Sequence, residues 1–250
     1  DFPKERTVVV LATEDKDPQA RDVERQLRGE FGSSFGKFFT TRHILHIGEV
    51  AGKSSNMAHA AKEIVKKLTR WHIRLENVLI TSCDADALLH PKYLSDVSFT
   101  FLTDTDRYSH FYQGAIFFYS NIWRIPLPNK VFNTIASIWN LSLLSQQNRL
   151  LNFSTYTVPL TTAAAAGYWG VDVIPEDYHM HFKVYFHKGE TVRTQSIFLP
   201  ILVDAAEGRG FFQTFKNQYE QYKRWAWGVS DIPFIIRGVF LHPEIPLFDR

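Results

Sequence analysis

The stretch Asn77-Val78-Leu79-Ile80-Thr81-Ser82-Cys83-Asp84-Ala85-Asp86 decides how the rest of the chain is read. An apolar, β-branched run ends in two carboxylates one residue apart, and His90-Pro91 follow. Buried parallel strands read as short runs of this kind. In open α/β sheets the ligand sits outside the carboxyl ends of the strands. If the chain stays extended past Ser82, a period of two points Asp84 and Asp86 to one side. Two carboxylates on one side are half of a hard-cation site, which Mg²⁺ completes with waters and substrate phosphates. A metal-diphosphate site at Asp84 and Asp86 is therefore expected.

Asp-x-Asp is a weak pattern and occurs three times. Asp15-Lys16-Asp17 precedes Pro18 and reads as a helix start, with Asp17 as N-cap. Asp104-Thr105-Asp106 reads as the close of a helix opened by Pro91, because Leu94, Val97, Phe101 and Leu102 fit helical spacing. Only Asp84-Ala85-Asp86 ends a clear strand.

Upstream, Thr7 to Ala12 reads as a buried strand, Pro18 to Arg28 as a helix closed by Gly29, and Phe38 to Ile47 as a second strand. Gly48 to Ser54 is one residue short of the Walker spacing and is not read as a P-loop. Gly52 instead turns the chain, Ser54 or Ser55 caps a helix over Ala58 to Leu68, and Lys53 points to the sheet edge that carries Asp84. Strand and helix alternate through Leu102, which argues for a parallel α/β sheet with right-handed crossovers.

Downstream, Phe111 to Tyr119 is aromatic and β-like, and a long apolar helix follows Pro126-Leu127-Pro128 to about Gln147. Pro175 fits a first helical turn, which sets Glu176 and Asp177 at an amino end where acidic residues are favoured. Neighbouring helical residues diverge by about 100°, so one of the two is expected to face a given site. Burial beside other carboxylates would raise the pKa of a base there, against the helix end. His179 and His181, two apart, are a poor metal pair and read as packed or hydrogen-bonding histidines. Phe211 to Gly228 reads as a helix with Gln221, Arg224 and Trp225 on one face. A guanidinium beside an indole suits a diphosphate and a sugar ring. Ile232 to Leu241 reads as an interfacial segment.

Composition narrows the classes. Hydrophobic residues at 45% are ample for a core, and 15% aromatics point to a packed aromatic core, to ring platforms or to a membrane interface. With 28 basic against 26 acidic residues there is no nucleic-acid footprint. The single cysteine excludes an internal disulfide and a cysteine-cluster zinc site. Cys83 is expected as a small buried hydrophobe beside the site. No run is long enough to span a membrane and no signal peptide is visible. The start without Met, directly at a strand approach, reads as a part of a longer protein.

Together these landmarks resemble the family 2 glycosyltransferases of the GT-A fold, particularly membrane-bound polysaccharide synthases of the cellulose synthase type. The matching pieces are Gly52-Lys53-Ser54-Ser55-Asn56, Asp84-Ala85-Asp86, Glu176-Asp177, and Gln221-Tyr222-Lys223-Arg224-Trp225, which fits Q-x-x-R-W. They occur in the family's order over most of the chain. The resemblance implies an α/β, Rossmann-type, mostly parallel sheet flanked by helices, without the family's first strand-helix unit. It implies one catalytic domain over 1–250, with 1–110 binding the nucleotide sugar and 111–250 on the acceptor side.

The chemistry implied is inverting transfer from a nucleotide sugar, UDP-sugar foremost, to a hydroxyl of a glycan or lipid-linked acceptor. Asp84 would lie toward the nucleotide, and Asp86 would bind Mg²⁺ or Mn²⁺ at the diphosphate. Asp177 would be the general base, with Glu176 beside it. Lys53, Gln221, Arg224 and Trp225 would hold the diphosphate and the acceptor's terminal sugar. Thr13 to Asp17 stands where the family shows an Asp-Asp-Gly-Ser type turn, which leaves Asp15 as a supporting carboxylate. Such synthases work at the cytoplasmic face of a membrane through helices that would lie outside this chain. The rival expectation is a binding or assembly module with a decayed site, anchored by its aromatic surface.

Overall fold

A computed structural model describes residues 2–146 and 149–245. β1 (Val8–Glu14) and β2 (Lys37–His43) pair in parallel, and α1 (Ala20–Phe31) connects them. α1 begins two residues after Pro18 and runs through Gly29, whose missing side chain faces open space, so nothing forces a stop there. α2 (Lys53–Arg70) starts five residues earlier than the apolar spacing indicated, because Gly52 at φ 147° ends the preceding loop. Ser54 and Ser55 do not cap it. Their hydroxyls donate to the carbonyls of Gly170 and Val50.

The second sheet has five strands in the order β3 (Leu79–Ser82), β6 (Tyr156–Pro159), β5 (His110–Phe117), β7 (Arg193–Leu202) and β4 (Leu88–Leu89). β3, β5 and β7 share one direction, while β6 and the short β4 oppose them. The mixed α/β fold flanked by helices is thus as the sequence indicates, with three of the five strands of this sheet running in one direction. The strict strand-helix alternation is not continued into one parallel ladder. β1–β2 forms its own, and β3 pairs with β6 instead.

β5 is buried along nearly its whole length, and its alternation serves two layers. Tyr112 and Ile116 pack with Tyr93, Val97 and Phe101 of α3 (Tyr93–Thr103). Phe111 packs on the other side with Tyr156, Val158, Met180 and Val184, the last two from α6 (Glu176–Lys188). Ile64 and Leu68 of α2 join Val8, Val10, Phe39, Val78 and Leu160 in a third cluster, which ties the β1–β2 ladder to the main sheet through side chains.

α4 (Leu127–Leu144) is the long helix after Pro126, and the proposed extension to Gln147 falls outside the described residues. α5 (Leu160–Ala165) is short. α7 (Phe211–Ala226) is followed by a 3₁₀ turn and then by α8 (Asp231–Leu241), so the segment expected at an interface is a helix. α8 is docked on α6, where His179 Nδ1 meets the buried Asp231 carboxylate at 2.8 Å. His181 Nδ1 meets Asn152 Oδ1 at 3.0 Å, so both histidines are hydrogen-bonding residues of the packing.

Candidate active site

β3 ends at Ser82, and the chain turns at once: the amide of Ala87 donates to the Asp84 carbonyl at 3.0 Å. The extended path that would align Asp84 with Asp86 is therefore absent, and the two carboxylates have different partners. Cys83 is exposed rather than buried, because the strand has already ended.

Asp84 belongs to a charged cluster. Lys53 Nζ lies 2.6 Å from Asp84 Oδ1 and 2.8 Å from Glu176 Oε1. It also donates to the carbonyl of Ser154 at 2.7 Å. Burial works against the Lys53 charge, but the Glu176 and Asp84 carboxylates outweigh it and hold the ammonium above its ordinary value. Burial raises Glu176 to about 7 against the pull of Lys53, and the neighbouring Asp177 charge adds to the rise.

Asp177 is also raised above the ordinary aspartate value, with burial the main cause and the amides of Ser154 and Tyr178 opposing it. Those amides donate to its two carboxylate oxygens, each at 2.9 Å. Desolvation wins over the helix amino end here, which favours a carboxylate able to accept a proton. Glu176 and Asp177 diverge as helical neighbours do, one to Lys53 and the other to Ser154, yet both are tied into one network.

Ser154 is the residue that sequence reasoning missed. Its amide donates to Asp177, its carbonyl accepts from Lys53, and its hydroxyl donates to Asp84 Oδ2 at 2.6 Å. It does so at φ 54°, a left-handed conformation that a serine adopts only when its surroundings impose it. The surroundings are buried polar side chains. Gln113 Oε1 accepts from the Phe153 amide at 2.8 Å, Gln113 Nε2 donates to the Thr155 carbonyl at 3.1 Å, and Asn152 Nδ2 donates to the Asp177 carbonyl at 2.9 Å. A glycine would have advertised the turn; a serine does not.

Asp86 faces a second place. Its Oδ2 accepts from the Asp204 amide at 3.2 Å, and it lines an open cavity of 380 Å³ with Asp204, Glu207, Gln221 and Arg224. Gln221 Oε1 is buried without a hydrogen-bond partner among the described residues, an acceptor that a ligand hydroxyl would satisfy. Trp225 is on α7 but packs against Phe118 and Tyr222, so it is not a lining residue of the cavity. Asp15 is at the end of β1, with Arg42 3.9 Å away, and has no contact with either cluster. Asp204 and Glu207 follow the apolar run of β7, the same strand-then-carboxylate pattern as in β3, and could have been found by it.

The other Asp-x-Asp sites are structural. Asp104 caps α3 and accepts from His110 and Tyr112, and Asp17 accepts from the Gln19 amide at the entrance to α1.

Among the described residues no group of three or more His, Cys, Asp or Glu side chains has the arrangement of a protein-only metal cage. Mg²⁺ and Mn²⁺ sites of the substrate-completed kind need only one or two carboxylates. Asp86, exposed at a cavity that also carries Arg224, fits that requirement, whereas Asp84 is committed to Lys53 and Ser154.

A search of curated proteins gave no significant match. The family described as "Glycosyl transferase family group 2" matches residues 79–247, from the start of β3 past the end of α8, and so takes in Asp84, Asp86, Asp177, Gln221 and Arg224. That is more than half of the chain. The protein belongs to the family 2 glycosyltransferases, enzymes that move a sugar from a nucleotide-sugar donor to an acceptor.

Proposed function

We propose that the protein is a metal-dependent inverting transferase, with a UDP-sugar as donor and a hydroxyl of a glycan or lipid-linked acceptor. The product is a polysaccharide, made at the cytoplasmic face of a membrane. The observation that supports this reading is the half-buried Asp177 joined through Ser154 to Asp84, with Asp86, Gln221 and Arg224 gathered at a neighbouring cavity.

In this reading Asp177 takes the proton of the acceptor hydroxyl as that oxygen attacks the anomeric carbon, and the nucleoside diphosphate leaves. Arg224 stabilises the charge that develops on the leaving group. A bound Mg²⁺ or Mn²⁺, held by Asp86, would neutralise the diphosphate as a Lewis acid. Lys53 and Asp84 orient the donor side, Glu176 holds Lys53, and Gln221 takes a sugar hydroxyl. Trp225 backs Arg224 through its packing on Phe118.

A screen of nucleotide sugars, read as nucleoside diphosphate release, tests the reading. Asp177→Asn is expected to lower transfer by about 10²–10⁴-fold while donor affinity stays within about twofold of the parent. Retained turnover in that variant removes Asp177 from the role.

A further inference from the structure

The first turn of α6 is gripped from two sides. Asp177 and His181 are four residues apart and share a face, whereas His179 lies about 200° round the helix from Asp177. On the first side Asn152 takes both ends of the turn. Its Nδ2 donates to the Asp177 carbonyl at 2.9 Å, and its Oδ1 meets His181 Nδ1 at 3.0 Å. On the other side His179 Nδ1 meets Asp231 Oδ1 at 2.8 Å. The His179 ring has little freedom there. Phe234 lies over it with ring centroids 4.2 Å apart, and Gly170 is so close that a Cβ would stand 3.0 Å from His179 Cδ2.

Packing alone does not account for Asp231. It is 2% exposed, and its Oδ2 has no hydrogen-bond partner among the described residues. A buried acceptor left unpaired lowers stability, and a well-packed apolar pair joins two helices at least as firmly. The amino end of α8 favours an acidic residue, but it does not call for a bond to another helix. The apolar contact between the two helices is made further along, where Phe186 of α6 packs on Phe234 and His242 and fills the space that a Cβ on Gly238 would need. The place of Asp231 in the chain is what distinguishes it. One 3₁₀ turn, Trp227–Ser230, separates α8 from α7, so whatever fixes the start of α8 also fixes the end of the helix that carries Gln221 and Arg224.

We propose that Asp231 is a positioning residue for the transfer step: through His179 it fixes the roll of α6, and with it the Asp177 carboxylate, relative to the helix that carries Gln221 and Arg224. The inference rests on the reading of Asp177 as the base and of Arg224 as a group at the leaving diphosphate. Proton removal and leaving-group departure are then served by different helices, and transfer needs both aligned on the donor sugar at once. A misplacement of about 1 Å costs up to about 10²-fold in rate. Asn152 alone lets α6 turn about its own contact, and the directed bond from Asp231 to His179 on the other side removes that freedom.

Variants of the full chain test this by nucleoside diphosphate release and by hydrogen exchange of the Ser154 and Tyr178 amides, which both donate to Asp177. In Asp231→Ala, kcat is expected to fall about 10–10²-fold with the donor KM within about twofold of the parent, and both amides are expected to exchange about tenfold faster. Asp231→Asn keeps an acceptor oxygen for His179 Nδ1 and is expected to recover most of the rate and of the protection. The double variant His179→Phe, Asp231→Leu puts an apolar pair in place of the directed bond. It is expected to melt at or above the parent temperature and still to show the loss of kcat and of protection, which keeps the test open where the alanine variant does not fold. Phe186→Leu loosens the same helix pair away from His179 and is expected to lower the melting temperature with kcat and both amides as in the parent. Exchange is read without turnover, so a parent that transfers no sugar refutes the chemical reading while the amides still decide the positioning. Parental exchange at both amides in Asp231→Ala or in the double variant overturns the proposal. So does an equal loss of rate and protection in Phe186→Leu, since general loosening would then be the cause.

Discussion

Ser154 donates its hydroxyl to Asp84 at 2.6 Å and its amide to Asp177 at 2.9 Å, so one loop residue holds both carboxylates. Ser154→Gly keeps the left-handed backbone and its two main-chain contacts and removes only the hydroxyl. Transfer is expected to fall about tenfold, the value of a hydrogen bond to a charged group, with the melting temperature unchanged. Ser154→Val puts a β-branched side chain at the same φ and is expected to cost about 2 kcal/mol of stability as well. Steady-state kinetics and thermal melts of the two variants separate the effects; parental activity in Ser154→Gly refutes the positioning role.

Glu176 gives the protein a pH-dependent stability of defined sign. Its carboxyl is raised from 4.5 to about 7, so the folded form holds this proton more tightly than the unfolded form. The contribution is fully present below about 4.5 and is lost as pH rises through about 7. Urea unfolding of the parent and of Glu176→Gln at both ends of that window measures it. The parent is expected to lose on the order of 3 kcal/mol more than the variant across the window. Parallel pH profiles would show that Glu176 titrates normally.

Asp86 and Arg224 share a cavity, and their removal should weaken donor binding in different ways. Calorimetry with nucleoside diphosphate, with and without Mn²⁺, is the measurement. In Asp86→Ala the enhancement by Mn²⁺ is expected to vanish while the weak metal-free binding persists. In Arg224→Lys binding is expected to drop about tenfold with the Mn²⁺ enhancement intact, because an ammonium cannot reproduce the planar fork.

Gln113, fully buried on β5, transmits the fold to the site. Gln113→Leu leaves the Phe153 amide and the Thr155 carbonyl without their side-chain partner, and is expected to cost about 3 kcal/mol in urea unfolding. It should also lower transfer in proportion to the disorder of Ser154. Full stability in this variant would mean that the 152–155 loop is held by other contacts.

What was legible in the chain follows from how local each signal is. The strand that ends at Ser82, the α6 start at Glu176 and α7 with Gln221 and Arg224 are encoded by neighbours in sequence, and all three stand in the structure. The antiparallel insertion of β6 beside β3 was illegible, because Tyr156 to Pro159 is four residues long and its partners are remote. The same holds for Ser154, whose unusual φ is imposed by Gln113 from another strand. The opposed destinations of Asp84 and Asp86 depend on a turn that no glycine or proline announces. Helical spacing places Trp225 on the face of Gln221 and Arg224, and its packing on Phe118 and Tyr222 comes from tertiary neighbours that spacing does not reveal.

The break between the β1–β2 ladder and the five-stranded sheet has a mechanical consequence. No main-chain ladder crosses that seam, and the Val8, Phe39 and Leu160 cluster spans it by side chains alone. Lys53, rooted at the start of α2, works as a stitch from one side of the seam to Asp84 and Glu176 on the other. Displacing Lys53 from Asp84 and Glu176 would remove one of several links between the β1–β2 wing and the main body, the Val50 amide on the Val171 carbonyl and the Ser54 hydroxyl on the Gly170 carbonyl being others.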